Sequence, residues 1–247
     1  MRPSAPIDVR SIGRVRVITL DRPHKRNAID AAMADALHSA WRAFADSVDR
    51  VAVLRASGTA FTAGLDTADP PAQFWRAIPD LPFELDKPVI AAVQGPAIAA
   101  GVSLLAFCDL CVAGEGASFS YPEARLGSAA GLISSIVPRM PHKLAMELML
   151  LGGPLSAQRA YEAGLVNRVC VAGEETAMAM AMAHGLAESS PTVLAFLKRT
   201  ARQALAKGPV EAMVQTQYQA QLVTHSADAE EGRAARRERR TPRFTGV

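Results

Sequence analysis

Apolar and charged positions alternate over RVRVITL (14–20), which predicts a strand with one solvated face. After the polar turn DRPHKRN comes Asp30, a residue suited to cap a helix. Met33, Leu37, Trp41, Phe44 and Val48 then follow at spacings of 4, 4, 3 and 4, one face of an amphipathic helix. VAVLRA (51–56) predicts a short buried strand, and SGTAFTAGLD after it a glycine-containing loop. Five prolines between 69 and 88 predict a loop with at most a short helix. PVIAAVQG predicts a strand, AIAAGVSLLAF a short buried helix, DLCVAG a strand, and ASFSYPEARLG a strand running into a turn. From Leu132 onward the pattern is almost entirely helical. PHKLAMELMLLG has proline at its start and glycine at its end, and SAQRAYEAGLV has a serine cap and a glycine stop. VNRVC is a last short strand. Helical segments are predicted over 173–188, 191–206 and about 209–239. The fold class is therefore α/β with a helical C-terminal appendage.

Composition narrows the picture. The chain has 247 residues, 49% apolar and 21% charged, enough to build a large core without disulfides. A net charge of +3 is too small to imply a polyanionic partner. Three cysteines, and a start (MRPSAPIDVR) lacking the apolar centre of a secretory leader, set a reducing, cytoplasmic location as the expectation. The stretch from Val89 through Gly114 is long enough to span a bilayer, but Gln94, Gly95, Pro96 and Asp109 interrupt it. It reads as strand, turn and buried helix, and no membrane association is expected.

Several familiar motifs fail on context. Cys108 and Cys111 form a CxxC with no second pair and apolar neighbours, so inert buried thiols are expected. GVSLL around Ser103 lacks the last glycine of a nucleophile elbow. The five histidines are scattered, and His38 reads as a surface or boundary residue. No nucleotide loop occurs, so neither a metal nor a separate cofactor is expected.

Three stretches remain: LDRPHKRNAID (20–30), AFTAGLD (60–66) with GPAIAAGVSL (95–104), and SYPEARLG (120–127). In this order and spacing the chain resembles the enoyl-CoA hydratase/isomerase family, the crotonase superfamily, from about Arg14 to the C-terminus. GGPLSAQRAYEAGLVNRV (152–169) and HSADAEEGRAARRERRTPRF extend the match. The resemblance implies a spiral of ββα units over residues 1–190, then a helical oligomerisation region over 191–247. It also implies an acyl-CoA thioester as substrate, coenzyme A entering as part of it, and a homotrimer or hexamer.

The chemistry fits elementary requirements. The C–H beside a thioester carbonyl becomes acidic only if the enolate oxygen is stabilised, and two backbone amides can do this without titrating. One belongs in a tight turn, which Gly64-Leu65 supplies, and the other at a helix start, which follows Gly95-Pro96. The resemblance assigns these donors to Leu65 and Ala100. It also gives the family's hydratases two glutamates. Here the second is Glu123, while the position of the first is Ser103, which can orient a water or a substrate hydroxyl but cannot act as a carboxylate base. Double-bond isomerisation needs only one carboxylate, so isomerisation or hydration with a single glutamate is expected. A hydroxyacyl-CoA hydratase-lyase and a CoA-ester-binding homologue without turnover stay open. By resemblance Lys25 and Arg26 meet the CoA nucleotide; solvated turn charges are the alternative reading. Asp66 holds the oxyanion turn, with Ala63 and Leu65 near the adenine and thioester ends. The proline-rich loop 67–88 is expected to shape the acyl pocket. The six arginines of 232–243 suggest a solvated helix face, and lacking aromatic interleaving they give no expectation of nucleic-acid binding.

Overall fold

A computed structural model describes residues 5–127, 132 and 136–246. Residues 1–4 of the MRPSAPIDVR start, and 133–135 of the stretch predicted helical, lie outside it.

The main sheet has six strands in the order β1-β2-β3-β4-β6-β9: β1 Ile7–Ile12, β2 Val15–Leu20, β3 Val51–Ala56, β4 Val89–Val93, β6 Leu110–Gly114 and β9 Arg168–Cys170. β1 pairs antiparallel with β2 around Gly13 (φ +61°), and every other pairing is parallel. The hydrophobic pattern did not single out β1. IDVRSI is an edge strand whose last four residues are exposed, so it carries little apolar signal. β2 departs from expectation in the opposite direction. It is buried on both faces, because helix α6 (Glu175–Glu188) covers Val15 and Val17 while Ile18 and Leu20 face the larger core. Its charged residue Arg16 is neutralised by Asp49 at 2.6 Å.

Helix α1 (Ala31–Ala45) forms as its spacing predicts. Asp30 caps it, its carboxylate accepting from the Met33 amide at 2.8 Å. The apolar stripe ends one residue early. Phe44 is fully buried, but Val48 lies beyond the helix and is 91% exposed. His38, expected near the surface, is buried between the rings of Phe83 and Tyr218, and its Nδ1 has no partner. Burial, and then the Arg76 cation, hold its pKa below the ordinary histidine value.

A second sheet joins β5 (Pro96–Ile98), β7 (Ser118–Ser120) and β8 (Leu155–Ser156). Helix α2 spans Ala100–Ala106, so the predicted AIAAGVSLLAF helix gives its first three residues to strand and a turn. α3 (Glu123–Leu126), α4 (His142–Leu151) and α5 (Ala157–Glu162) follow. α4 ends at Gly152 (φ +62°) and α5 is capped by Ser156, as the sequence predicts. Beyond α6 come α7 (Pro191–Ala204), α8 (Pro209–Thr224) and α9 (Ala227–Glu238). The single helix predicted over about 209–239 is thus two. Ser226 caps the second of them, and its side chain competes with helix continuation. Among the described residues no helix is long and apolar enough to cross a membrane.

The step from β4 to β5 passes under the loop after β3, and the close approach demands glycine. A Cβ at Gly95 would stand 2.0 Å from the Thr59 carbonyl oxygen. Backbone cannot rotate away as a side chain can. Gly95→Ala is therefore expected to cost about 3 kcal/mol or more, read as a lowered midpoint in urea denaturation. An unchanged midpoint would contradict the packing described.

Candidate active site

The site is built where two backbone segments cross. Thr62 bridges to Ala97: the Thr62 amide donates to the Pro96 carbonyl at 3.2 Å, and the Ile98 amide to the Thr62 carbonyl at 3.0 Å. Three residues on, Leu65 bridges to Ile29. Here the Ile29 amide donates to the Gly64 carbonyl at 2.8 Å, and the Asp66 amide to the Ile29 carbonyl at 2.8 Å. In a parallel bridge of this kind the central residue's own N–H points away from the partner. Among the described residues the Leu65 amide accordingly finds no acceptor.

Gly64 (φ +95°) makes the turn. A Cβ there would meet the Ile98 carbonyl oxygen at 3.1 Å, the Ala99 Cβ at 3.3 Å and the Ala100 amide nitrogen at 3.8 Å. The turn therefore lies against the start of α2. The Ala99 amide is taken by the Ser120 carbonyl at 2.8 Å, whereas the Ala100 amide, at the first helical position, finds no acceptor among the described residues. Gly101 completes the close packing, since a Cβ there would stand 2.6 Å from Thr62 Cγ2. The structure thus brings Leu65 and Ala100 together.

Ser103 lies on α2, 2% exposed. Glu123 opens α3, three residues after the Ser120 that accepts from Ala99. Its Oε2 is buried without a partner. Burial pushes its carboxyl above the ordinary range, against a smaller opposing effect of its own backbone amide. Burial likewise raises the neighbouring Tyr121 phenol, and the Glu123 charge adds to that.

Ala63 is held by its amide donating to the Arg26 carbonyl at 2.9 Å. Lys25 and Arg26 sit on an exposed turn, Arg26 in the left-handed region (φ 51°). The Asp66 carboxyl is held below its ordinary range by the Ala68 amide, then by Arg22, with Lys25 adding a weaker pull. The Lys25-Arg26 turn and the Gly64 turn are therefore neighbours.

Three residues in this frame escaped the sequence reading. Arg22 pairs with Asp30 at 3.0 Å and Asp66 at 3.2 Å and donates to the Ala28 carbonyl at 2.6 Å. Asn27, fully buried at φ 53°, accepts from the Arg22 amide and donates to the carbonyls of Ser57 and Ala60. The Thr62 hydroxyl donates to the Asn27 carbonyl and accepts from the Gly64 amide. Arg22 and Asn27 stand in the quoted RPHKRN turn, but nothing local distinguishes a buried clamp from a solvated charge there. Cys108 and Cys111 are held as thiols by burial, Cys111 pushed up to about 12. Among the described residues no group of three His, Cys, Asp or Glu side chains is arranged to hold a metal ion.

Ala99 carries strain. Its φ of 54° and ψ of −108° suit glycine, not an L side chain. Ala99→Gly is expected to relieve about 1 kcal/mol and raise the thermal midpoint without loss of secondary structure by circular dichroism. A lowered midpoint would mean that the Ala99 methyl contact across from Gly64 outweighs the strain.

Comparison with known proteins identifies the family. The family model described as enoyl-CoA hydratase/isomerase matches residues 11–247. Among curated relatives, the enoyl-CoA hydratase EchA19 of Mycobacterium tuberculosis is 32% identical, over 94% of this chain and 93% of that protein. The carnitinyl-CoA dehydratase of Salmonella typhi is 36% identical, over 95% and 96%. The crystal structure of carnitinyl-CoA hydratase from Mycobacterium avium superposes with a TM-score of 0.78 at 31% identity, covering 98% of this chain and 99% of that one. The chain is an enzyme of the acyl-CoA class with the crotonase fold, and it belongs to the enoyl-CoA hydratase/isomerase family.

Proposed function

We propose that the chain moves a proton within an acyl-CoA thioester. The Leu65 and Ala100 amides hold the enolate oxygen, and Glu123 is the single carboxylate carrier. The observation that carries this reading is a pair of unpartnered amides brought together where the Gly64 turn meets the start of α2, with a half-buried carboxyl opening the helix that follows Ser120 and a serine at position 103. With a 3-enoyl-CoA, Glu123 takes a proton from C2 and the electron pair flows into the thioester oxygen. The C2=C3 bond then forms as the C3=C4 pair takes the same proton at C4. Nothing is left over, and no further cofactor enters. CoA lies along Lys25, Arg26, Ala63 and Asp66. A second reading, loss of water from a 3-hydroxyacyl-CoA, is favoured by the similarity to a carnitinyl-CoA dehydratase.

Proton abstraction needs the carboxylate. The rate should therefore rise with pH through a pKa above the ordinary glutamate value. The stability sign is opposite. The folded chain keeps the Glu123 proton to higher pH than the unfolded chain does. The stability this contributes is present below the unfolded pKa and is lost as pH rises through the folded one. Glu123→Gln should abolish turnover while leaving the fold at least as stable at pH 7 to 8. Ser103→Glu should raise hydration of a 2-enoyl-CoA relative to isomerisation of a 3-enoyl-CoA, because it restores a second carboxylate. The measurement is both rates for wild type and the two variants. Wild-type hydration faster than isomerisation, with no gain in Ser103→Glu, would refute the single-carrier reading.

The same reading makes 191–247 an oligomerisation region. Val193, Phe196, Leu197, Met213, Leu222 and Val223 are each about half exposed or more, an apolar load that self-association would cover. Sedimentation should give a trimer or hexamer at micromolar concentration, and a stable monomer would contradict this.

A further inference from the structure

Helix α7 has no buried residue, yet it is fixed to the body of the molecule. What fixes it is charge. Arg202, its side chain 10% exposed, lies side-on against Asp80, with Nε 3.0 Å from Oδ2 and Nη2 3.0 Å from Oδ1. The same guanidinium reaches Glu84 at 3.1 Å, Asp86 at 3.3 Å and the Leu85 carbonyl at 3.3 Å. One turn earlier, Lys198 donates to the Lys87 carbonyl at 2.9 Å and to Asp109 at 2.8 Å, and Asp109 in turn accepts from the Val89 amide. Two cations at i and i+4 thus grip the segment 80–89 from end to end.

The gripped segment begins on a strained residue. Asp80 is at φ 58°, where L residues are strained, and its carboxylate folds back onto the Leu85 amide at 2.7 Å. Burial raises the Asp80 carboxyl despite the Lys198 and Arg202 cations. The apolar side chains next to these contacts point inward. Phe74, Trp75, Ile78, Leu81 and Leu85 belong to the same buried cluster as Ala100 and Tyr121. A crevice of about 390 Å³ between α7 and the end of α2 is lined by Asp80, Phe107, Asp109, Lys198 and Arg202. There the clamp meets the far end of the helix that carries the Ala100 amide.

We propose that Arg202 is a positioning residue for the acyl pocket: by holding Asp80, Glu84 and Asp86 at once it sets the wall formed by residues 74–85, and so which acyl chains fit. The inference rests on the acyl-CoA reading above. A planar fork of five donors can serve three carboxylates and a carbonyl together, and a lysine cannot. Losing the fork leaves Asp80 largely buried beside Leu85 without the guanidinium bonded to it, and the wall relaxes.

The test compares wild type, Arg202→Gln, Arg202→Lys and Asp80→Asn on enoyl-CoA esters of four and ten carbons. Inhibition by free coenzyme A is measured alongside. The expected result is a rise of about tenfold in KM for one chain length and not the other, from loss of a charge-assisted set. The kcat at four carbons and the inhibition by coenzyme A stay within about twofold. Arg202→Lys should behave like Arg202→Gln, and Asp80→Asn should show the same direction. Equal KM changes at both lengths, or full rescue by lysine, would overturn the proposal. Hydrogen exchange is read on the same proteins. Faster exchange confined to 80–89, with β2, β3 and β4 beyond Val89 unchanged, supports the clamp. Unchanged exchange at 80–89 overturns it. If wild type turns over no acyl-CoA, the functional reading fails on that ground alone, and the exchange result still decides whether Arg202 holds the segment.

Discussion

The backbone at Thr62–Leu65 must pass within van der Waals distance of the backbone at Ala97–Ala100, and the rest of the site follows from that crossing. At Gly64, Gly95 and Gly101 a methyl group would meet carbonyl oxygen, amide nitrogen or a buried threonine. The crossing uses up the hydrogen bonds of Thr62, Gly64, Ile98 and Ala99 and leaves those of Leu65 and Ala100 unused. An unpaired buried amide is costly in most folds. Here the frame is too tight for either amide to turn inward, which leaves both open to an acceptor from outside the chain, as the proposed reading requires.

Holding such a crossing requires rigidity from outside it. The Arg22 fork ties the cap of α1 to Asp66, and Asn27 ties the same turn to the loop after β3. These contacts connect residues far apart in sequence, from Arg22 to Asp66 and from Asn27 to Ala60. They convert a surface turn into part of the scaffold. The Lys25 and Arg26 side chains, which make no such contact, remain exposed on that turn. One short segment thus divides its cations between structure and solvent.

This division explains what the sequence could and could not convey. The strands β3, β4 and β6, helix α1 and the caps at Asp30 and Ser156 follow from local pattern, and they form where expected. β1 escaped because an exposed edge strand has no apolar period. β2 appeared half-solvated because Arg16 looks solvent-seeking until Asp49, 33 residues away, is placed beside it. His38 was misjudged, and Arg22 missed, for the same reason. A polar residue's burial is decided by partners that only the tertiary fold supplies. The adjacency of the Gly64 turn and the α2 start was not visible in either motif alone. Only their ordered occurrence with SYPEARLG suggested it.

Glu123 shows why a site of this kind is never the most stable arrangement of its residues. A carboxyl with one oxygen buried and unpaired favours its neutral form, and every ionised molecule pays in folding free energy. A second buried carboxylate at position 103 would add like-charge repulsion to that penalty and would raise the first pKa further. A serine there lowers the electrostatic load and leaves Glu123 ionised over a wider pH range. What is given up is a second group able to exchange a proton with water. The choice of residue at 103 therefore trades the chemistry of hydration against the ease of keeping one base charged. Under the proposed reading, that trade favours reactions in which a single proton leaves and returns.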